Sequence, residues 1–294
     1  MSQWESIFAA IEAATGEPFQ IRSPCYVGSG CINRAAVLND GRRRFFVKLN
    51  RAHRLPMFEA EAAGLAEMAA TRSIRVPKPL GTGLAGTEAF LLLEYVALDG
   101  RRTTAGEAQA GRQLAALHRT TRKRFGWDRD NTIGSTPQPN ALTENWIEFW
   151  RKHRLGFQLE LAAQQGYRGQ LQARGQRLLE TFDPLLSHDP VPSLLHGDLW
   201  GGNLDYTTDG APVLYDPAVY FGDREADLAM TELFGGFGSH FYAAYDEAWS
   251  LDPGYRVRKD FYNLYHVLNH LNLFGSGYLG QAQRLIDRLL AQLG

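Results

Sequence analysis

The chain has 294 residues, of which 44% are hydrophobic and 21% are charged. These are ordinary values for a globular protein, and the length suits two domains or lobes, each with its own core. The 31 basic and 32 acidic side chains nearly cancel to a formal net charge of -1, so we expect neither a nucleic acid nor an anionic membrane as a partner.

The N-terminal residues and the cysteines indicate the compartment in which the protein works. Glu5 and Glu12 lie near the N-terminus and no basic region precedes an apolar one, so no signal peptide is predicted. The longest apolar stretch, residues 89–98, is too short to cross a bilayer. Cys25 and Cys31 suit a reducing environment better than a disulfide scaffold. We therefore predict a cytoplasmic protein without a membrane span.

The first predicted elements are an amphipathic helix over residues 3–15 and a β-hairpin around residues 39–41. Gly28, Ser29 and Gly30 stand just before the first strand of that hairpin. Glycines at such a point let the backbone approach a phosphate and donate hydrogen bonds from its N–H groups. A tight strand turn without a ligand is the alternative interpretation.

The second strand of the hairpin carries a lysine where an apolar side chain is expected. Lys48 stands between two apolar residues, and an unpaired ammonium group is costly to bury. A nucleotide phosphate and a carboxylate would offset that cost. In the helix predicted over 58–70, Glu61 shares the inward face of Phe58 and Leu65, so we predict that Glu61 pairs with Lys48. The alternatives are an edge-strand lysine that faces solvent and a solvated glutamate.

A buried strand over residues 90–96 is predicted to end the first lobe. The backbone groups of Glu94, Tyr95 and Val96 are the candidates for hydrogen bonds to an adenine edge, because that contact needs no particular side chain. The predicted division is a nucleotide-binding lobe over 1–94, a hinge over 95–100, and a catalytic and substrate lobe over 101–294.

The second lobe is predicted to be mainly helical, with a loop over 127–140 that is rich in turn-forming residues. In its last third, Asn263, His266 and His270 follow one another at about one helical turn. These side chains are either part of an acceptor pocket or a polar stripe on the surface. A metal site is not expected there, because no carboxylates accompany the histidines.

One motif points directly to phosphoryl transfer. An apolar run leads into His196-Gly197-Asp198, Asn203 follows on the same segment, and Asp216 ends the next apolar run. In kinases one carboxylate receives the proton of the acceptor hydroxyl, while an amide oxygen and a second carboxylate hold the metal ion. We therefore predict Asp198 as the base, and Asn203 and Asp216 as ligands of Mg²⁺ on neighbouring strands of a second hairpin.

Two further residues near this motif are predicted to support it. His196 is expected to fix the loop and not to act as a second base. Asp227 opens an Asp-Leu-Ala-Met segment and is expected to accept hydrogen bonds from the backbone of the loop. Glycines, a strand lysine, a helix glutamate and the catalytic motif all occur in the right order, which favours a phosphotransferase over a nucleotide-binding module without activity.

The combined motifs closely resemble the fructosamine kinase (ketosamine 3-kinase) family across essentially the whole chain. The resemblance implies an α+β, protein-kinase-like bilobal fold, with a small antiparallel sheet in the first lobe and a larger helical second lobe. The motifs that carry it are Gly28–Asn33, Phe58–Leu65, Phe125–Trp127, Asn131–Asn140, Leu195–Asn203 and Asp216–Met230.

The resemblance also implies the activity, which is phosphorylation of the sugar 3-hydroxyl of a ketosamine by ATP with Mg²⁺. Such a reaction destabilises the adduct and serves deglycation repair. The resemblance also implies the roles that are predicted above for Asp198, Asn203, Asp216, Lys48 and Glu61. Either a free or a protein-bound ketosamine is compatible with it, as is a monomer or a dimer.

The resemblance raises two questions about single residues. Trp200 either stacks on the sugar or packs within the protein. Cys31 matches a cysteine that many family members carry, and we hypothesise that its oxidation or intermolecular pairing lowers activity; an inert loop cysteine is the alternative. The rival function is a kinase of the same fold for an aminoglycoside, choline or a similar hydroxyl acceptor. Residues 255–278 include only one carboxylate, Asp260, which argues against a polycationic acceptor.

Overall fold

The structure is a computed structural model that describes residues 3–21, 24–29 and 32–294. The chain forms two compact units, of which the first comprises Met1–Gly106 and Asp205–Pro217 and the second comprises Glu107–Leu204 and Ala218–Gly294. The hinge over residues 95–100 stays a prediction. The first unit includes a segment of the chain, Asp205–Pro217, that the sequence pattern assigns to the second lobe.

The regular elements follow the predicted order. The strands are β1 (Cys25–Ser29), β2 (Arg34–Asn39), β3 (Arg44–Arg51), β4 (Pro79–Ala85), β5 (Glu88–Glu94), β6 (Asn131–Ile133), β7 (Thr136–Gln138), β8 (Ser193–Leu195), β9 (Leu204–Tyr206), β10 (Pro212–Leu214) and β11 (Tyr220–Gly222). The helices are α1 (Gln3–Thr15), α2 (Leu55–Thr71), α3 (Thr104–His118), α4 (Trp146–Phe149), α5 (Gly156–Gln164), α6 (Gln170–Thr181), α7 (Glu225–Leu233), α8 (Ser239–Ala248), α9 (Tyr255–Phe274) and α10 (Leu279–Leu293).

The first unit is organised around a five-stranded antiparallel sheet with the order β1-β2-β3-β5-β4. The predicted hairpin joins β2 and β3, and its closing pair is Asn39 with Arg44. Gly41 has a φ of +90°, and its N–H donates to Asn39 Oδ1. Glycine is suited to that left-handed conformation, so the residues that predict the turn also form it.

The core of the first unit lies where α1 packs against the sheet. Ile7 and Ile11 of the helix meet Val47 and Leu49 of β3 in one buried cluster, and Phe19 joins them. α2 packs on β4 and β5. The helices predicted over 3–15 and 58–70 are therefore confirmed, and β3 lies inside the sheet with neighbours on both sides.

The second unit is mainly helical, with two small strand pairs, β6–β7 and β8–β11. The predicted loop over 127–140 contains the β6–β7 hairpin, so that prediction is wrong in part. An antiparallel sheet in one unit and helices in the other confirm the predicted α+β class. No helix in the described part of the chain combines the length and apolar character that crossing a membrane requires.

A π-helical segment, Trp150–Leu155, joins α4 and α5. A Cβ at the following residue, Gly156, would lie 2.3 Å from the carbonyl oxygen of Arg151. Only glycine fits there without a shift of the backbone. The widened turn contains Arg154, which is completely buried.

We predict that Gly111→Ala destabilises the protein. A helical glycine normally gains about 1 kcal/mol on replacement by alanine. A Cβ at Gly111 in α3, however, would lie 2.2 Å from the carbonyl oxygen of Phe241 in α8, and such overpacking costs ~1–3 kcal/mol. Urea unfolding should therefore show a lower free energy of unfolding for this variant.

Gly280→Ala is the matched control, because the nearest atom to its added Cβ belongs to the flexible end of Arg284 in the same helix. We expect this control to be neutral or slightly stabilising. If both variants gained stability, the prediction that the close approach of α3 to α8 destabilises Gly111→Ala would be wrong.

Candidate active site

The first unit contains a cluster of one buried lysine and two carboxylates. Lys48, on the central strand β3, is 6% exposed. Its Nζ lies 2.5 Å from Glu61 Oε1 on α2 and 2.5 Å from Asp216 Oδ1. The predicted pairing of Lys48 with Glu61 is confirmed, and a solvent-facing edge lysine is excluded. Asp216 as a second partner was not predicted.

The charges of this cluster keep the lysine protonated. Burial by itself would lower the pKa of Lys48, but the charges of Asp216 and Glu61 outweigh it and raise the pKa above its ordinary value. Burial raises the pKa of Glu61, and the charge of Asp216 adds to this effect while Lys48 opposes it. The lysine is therefore a fixed cation at neutral pH, held in place by two acceptors.

Asp216 has an unusual backbone conformation. Its φ is +57°, and Arg72 is the only other non-glycine residue with a positive φ in the described part of the chain. Aspartate tolerates the left-handed region better than most residues, yet such positions are uncommon and often functional. The conformation turns the chain directly after β10, and the Asp216 side chain is half exposed.

The second unit includes the loop with the predicted base Asp198, which we call the catalytic loop and define as His196–Asn203. Asp227 on α7 is buried, and its two carboxylate oxygens accept hydrogen bonds from the N–H groups of His196 and Gly197, at 2.7 and 2.8 Å. The predicted contact between Asp227 and the loop backbone is confirmed. His118 Nε2 lies 3.1 Å from the same carboxylate, so three partners surround it.

The turn of the loop also depends on Gly197. Its φ is +83°, and a Cβ there would lie 2.1 Å from the carbonyl oxygen of Ala218. The N–H of Ala218 donates to the carbonyl oxygen of His196 at 2.8 Å. His196 is completely buried, and its Nδ1 accepts a hydrogen bond from the N–H of Asp198. These contacts fit the predicted structural role of His196.

The side chain of Asn203 is oriented by the loop itself. Its Nδ2 donates to the carbonyl oxygen of Asp198 at 2.8 Å, and the residue is 5% exposed. Because the amide nitrogen is engaged, the amide oxygen is the atom that Asn203 can offer to a cation. An amide oxygen of this kind suits a hard cation such as Mg²⁺.

Trp200 is exposed on the loop, with 42% of its surface accessible. Its ring also covers Gly202, where an added Cβ would lie 2.3 Å from the indole. The ring thus packs on one residue of the loop and presents surface to solvent. Both interpretations from the sequence, stacking on a sugar and packing, are compatible with this position.

The structure excludes one of the two interpretations predicted for the polar residues of α9. His266 and Asn263 are 4% and 5% exposed, so a polar surface stripe is wrong. Burial is the main cause that lowers the pKa of His266 to about 3, and it also lowers the pKa of His270. Both rings are therefore neutral near pH 7. The period of the sequence pattern did not reveal that α7 covers this face of α9.

A network of amide side chains behind the loop was not predicted. Gln138 Nε2 donates to the carbonyl oxygen of Ala218, and Asn131 Nδ2 donates to that of Val219, at 3.1 and 2.8 Å. Tyr265 donates its hydroxyl proton to Gln138 Oε1. The amide-rich composition of residues 131–140 was the available signal, because buried amides need partners.

The predicted glycine turn is described only in part. Gly30 and Cys31 lie outside the described residues, while Gly28 and Ser29 form the end of β1. The N–H of Glu94 donates to the carbonyl oxygen of Lys78 at 2.9 Å. That N–H is therefore engaged within the first unit, and the adenine contact of Glu94, Tyr95 and Val96 stays a prediction.

Comparison with known proteins decides the family. The sequence profile described as fructosamine kinase matches residues 3–292. This chain belongs to the fructosamine kinase family. The resemblance predicted from the motifs is thereby confirmed over nearly the whole length.

The relatives of this family member agree with that assignment. A probable ketoamine kinase from Synechocystis sp. is 46% identical over 288 residues, which cover 98% of this chain and 97% of the relative. The chloroplastic protein-ribulosamine 3-kinase from Oryza sativa subsp. indica is 45% identical over 282 residues, which cover 95% of this chain and 82% of the relative.

Solved structures confirm the protein-kinase-like fold. A crystal structure of a Haemophilus somnus protein assigned as a fructosamine-3-kinase is 33% identical, with a TM-score of 0.91 over 98% of this chain and 97% of that one. A thermostable aminoglycoside phosphotransferase, solved with AMP-PNP and hygromycin B, has a TM-score of 0.64 at 14% identity, over 97% and 98% of the two chains. At that identity the likeness concerns the fold alone.

We predict a distinctive pH dependence for the contribution of Asp227 to stability. Burial acts to raise the pKa of Asp227, but the hydrogen bond and charge of His118, with the charge of His196, hold it below its ordinary value. A depressed folded-state pKa stabilises the protein fully above the unfolded-state value of about 3.9, and this stabilisation is lost as the pH falls through the lower folded-state value.

Asp227→Asn should therefore lower the free energy of unfolding by ~1–3 kcal/mol near pH 7, because asparagine has one acceptor oxygen for two backbone donors. The difference between wild type and variant should stay constant down to about pH 4 and shrink below it. Urea unfolding over that pH range measures the difference. A difference that does not change with pH would contradict the prediction.

Proposed function

We propose that this chain is an ATP-dependent kinase that phosphorylates the 3-hydroxyl of ketosamines, as in deglycation repair. Kinase activity follows from its family, and nucleotide use is in keeping with the fold. The observation that carries the proposal is that the residues expected for phosphoryl transfer are all present and are held in place. Lys48 pairs with two carboxylates in one unit. In the other unit, Asp227 accepts hydrogen bonds from the catalytic loop.

The residues of the first unit are proposed to bind the nucleotide. Lys48 would contact the phosphates, with Glu61 keeping its ammonium group in place. The backbone at Gly28 and Ser29 would approach the phosphates from β1. The backbone of Glu94, Tyr95 and Val96 would meet the adenine edge, although the N–H of Glu94 itself donates to the carbonyl oxygen of Lys78.

The residues of the second unit are proposed to activate the acceptor. The sugar 3-hydroxyl would donate a hydrogen bond to the Asp198 carboxylate. As its oxygen forms a bond to the terminal phosphorus of ATP, the bond from that phosphorus to the bridging oxygen of ADP breaks and the hydroxyl proton passes to Asp198. Trp200, His266 and His270 are the proposed surroundings of the acceptor.

Mg²⁺ is the proposed metal, held by the amide oxygen of Asn203 and the carboxylate of Asp216. When bound, it would supply positive charge to the phosphate oxygens. The cytoplasmic location stays an expectation from the cysteines. The use of protein-bound as well as free ketosamines is proposed from the names of the relatives.

The rival acceptors are less well supported. A polycationic aminoglycoside calls for carboxylates around the acceptor, and Asp260, the one carboxylate of the α9 region, already pairs with Arg288 at 3.1 Å. The sequence identity of this chain to an aminoglycoside phosphotransferase is 14%, whereas its identity to the ketoamine kinase relative is 46%.

We predict that Asp198→Asn removes most of the activity while the protein stays folded. Loss of a catalytic base typically lowers the rate by ~10²–10⁴. The assay measures ATP consumption with a ribulosamine, a fructosamine and an aminoglycoside, and NMR of the product identifies the phosphorylated oxygen. Wild type should consume ATP with the ketosamines and phosphorylate oxygen 3.

Turnover of the aminoglycoside alone would refute the proposal in favour of the rival kinase. Nucleotide binding without turnover of any acceptor would indicate a module without activity. Unchanged turnover by the Asp198→Asn variant would remove Asp198 from the proposed role, and circular dichroism shows whether each variant is folded.

A second prediction concerns the metal. Asp216→Asn should raise the Mg²⁺ concentration needed for half-maximal activity by at least about tenfold, because a carboxylate ligand becomes an amide. Asp209→Asn is the matched control, since Asp209 lies at the exposed turn of the same β9–β10 hairpin and contacts Thr207. An equal Mg²⁺ requirement for both variants would argue against Asp216 as a ligand.

A further inference from the structure

An exposed cluster of aromatic rings lies in the second unit, and we call it the aromatic patch: Phe234, His270, Phe274 and Tyr278. The His270 ring is at its centre, with ring centroids 4.8 Å from Phe234, 5.4 Å from Phe274 and 5.1 Å from Tyr278. The patch is built from three segments, the residue after α7, the last turns of α9 and the turn before α10.

The patch leaves much apolar surface open to solvent. In the second unit, all of which the structure describes, four large apolar side chains are exposed: Val191, Trp200, Phe234 and Phe274, at 44%, 42%, 40% and 52%. Two of them belong to the patch and a third to the catalytic loop. Exposed apolar side chains that cluster in one region indicate a binding surface, whereas single exposed apolar side chains are common on protein surfaces.

The patch is continuous with the catalytic loop. Gly235 and Gly236 directly follow Phe234, and a Cβ added to Gly201 would lie 2.9 Å from both the carbonyl oxygen of Gly235 and the Cα of Gly236. Gly201 is the third residue after Asp198. The backbone that carries the proposed base therefore touches the backbone that carries one edge of the patch.

The chemistry of a ketosamine requires a surface of this kind. Its reacting hydroxyl is on C3 and its nitrogen is on C1, so the amine and its substituent leave the sugar a few bonds from the base. The nitrogen is a secondary ammonium near pH 7 and carries an alkyl chain. Aromatic faces attract such a cation, and their apolar area covers the alkyl chain.

The imidazole at the centre of the patch is compatible with a cationic guest. His270 Nδ1 lies 2.8 Å from the carbonyl oxygen of His266, so Nδ1 carries the proton and Nε2 has the accepting lone pair. Burial lowers the pKa of His270, and the neutral ring does not repel an ammonium group. The patch thus combines aromatic faces with one hydrogen-bond acceptor.

We propose that the aromatic patch binds the amine side of the ketosamine, that is, its secondary ammonium and the alkyl chain of a glycated lysine. This rests on the proposed function, because it assigns the other half of the same acceptor. The sugar lies at the catalytic loop, and the amine substituent extends over Phe234 and Phe274. Discrimination between acceptors then depends on the charge at nitrogen as well as on the sugar.

The test compares two acceptors that differ in the atom bound to C1, the charged amine N-butyl ribulosamine and the neutral ether 1-O-butyl ribulose. Wild type should favour the amine. Phe274→Leu keeps apolar area but removes the aromatic face, and it should lower kcat/KM for the amine by about tenfold, through KM, with a smaller loss for the ether. Phe234→Leu should act in the same direction.

Val191→Ala is the matched control, because it trims an exposed apolar side chain elsewhere in the same unit, and both acceptors should be unaffected. Equal losses for amine and ether in the phenylalanine variants would overturn the proposal, as would unchanged kinetics. If wild type turns over neither N-butyl ribulosamine nor any other ketosamine, the proposed function itself fails, which is visible before any variant is made.

Discussion

The catalytic half of this protein depends on one buried carboxylate. Asp227 is 1% exposed and interacts with His118 and the N–H groups of His196 and Gly197. Loss of partners by a buried charge is costly, and the loop could leave α7 only by removing two of the three partners of this carboxylate. The position of the proposed base is thus coupled to a helix and does not rely on the loop's own turn propensity.

A second set of contacts holds the loop from the opposite side. Ala218 donates to the carbonyl oxygen of His196 and in turn accepts from Gln138. Arg154, placed inside the unit by the π-helical segment, donates to Asn140 Oδ1 and lies 4.0 Å from the centroid of the Tyr220 ring. Three sequence segments that are far apart in the chain therefore meet behind the catalytic loop, and each supplies donors for carbonyl groups of the next.

Prediction of contacts from the sequence succeeded best where a buried charge needs a partner and few residues can supply one. Lys48 on a buried strand required a carboxylate, and the inward face of the next helix offered Glu61. Asp227 was found for a similar reason, because a carboxylate close behind a glycine loop is a natural acceptor. His266 was misjudged in part, since a helical period shows which residues share a face but not whether another helix covers it. The π-helical segment had no usable signal beyond Gly156, whose role depends on a carbonyl that only the folded chain brings near.

The two proposed metal ligands share one physical feature. Each is fixed through one of its two polar atoms, Asn203 by its nitrogen on the carbonyl of Asp198 and Asp216 by Oδ1 on Lys48. In each case the second atom is an oxygen, and a carboxylate has enough lone pairs to serve a lysine and a cation together. Holding a ligand by its other atom reduces the side-chain freedom that would be lost on binding. The surroundings of Lys48 and of the loop therefore orient the proposed ligands as well as supporting their own segments.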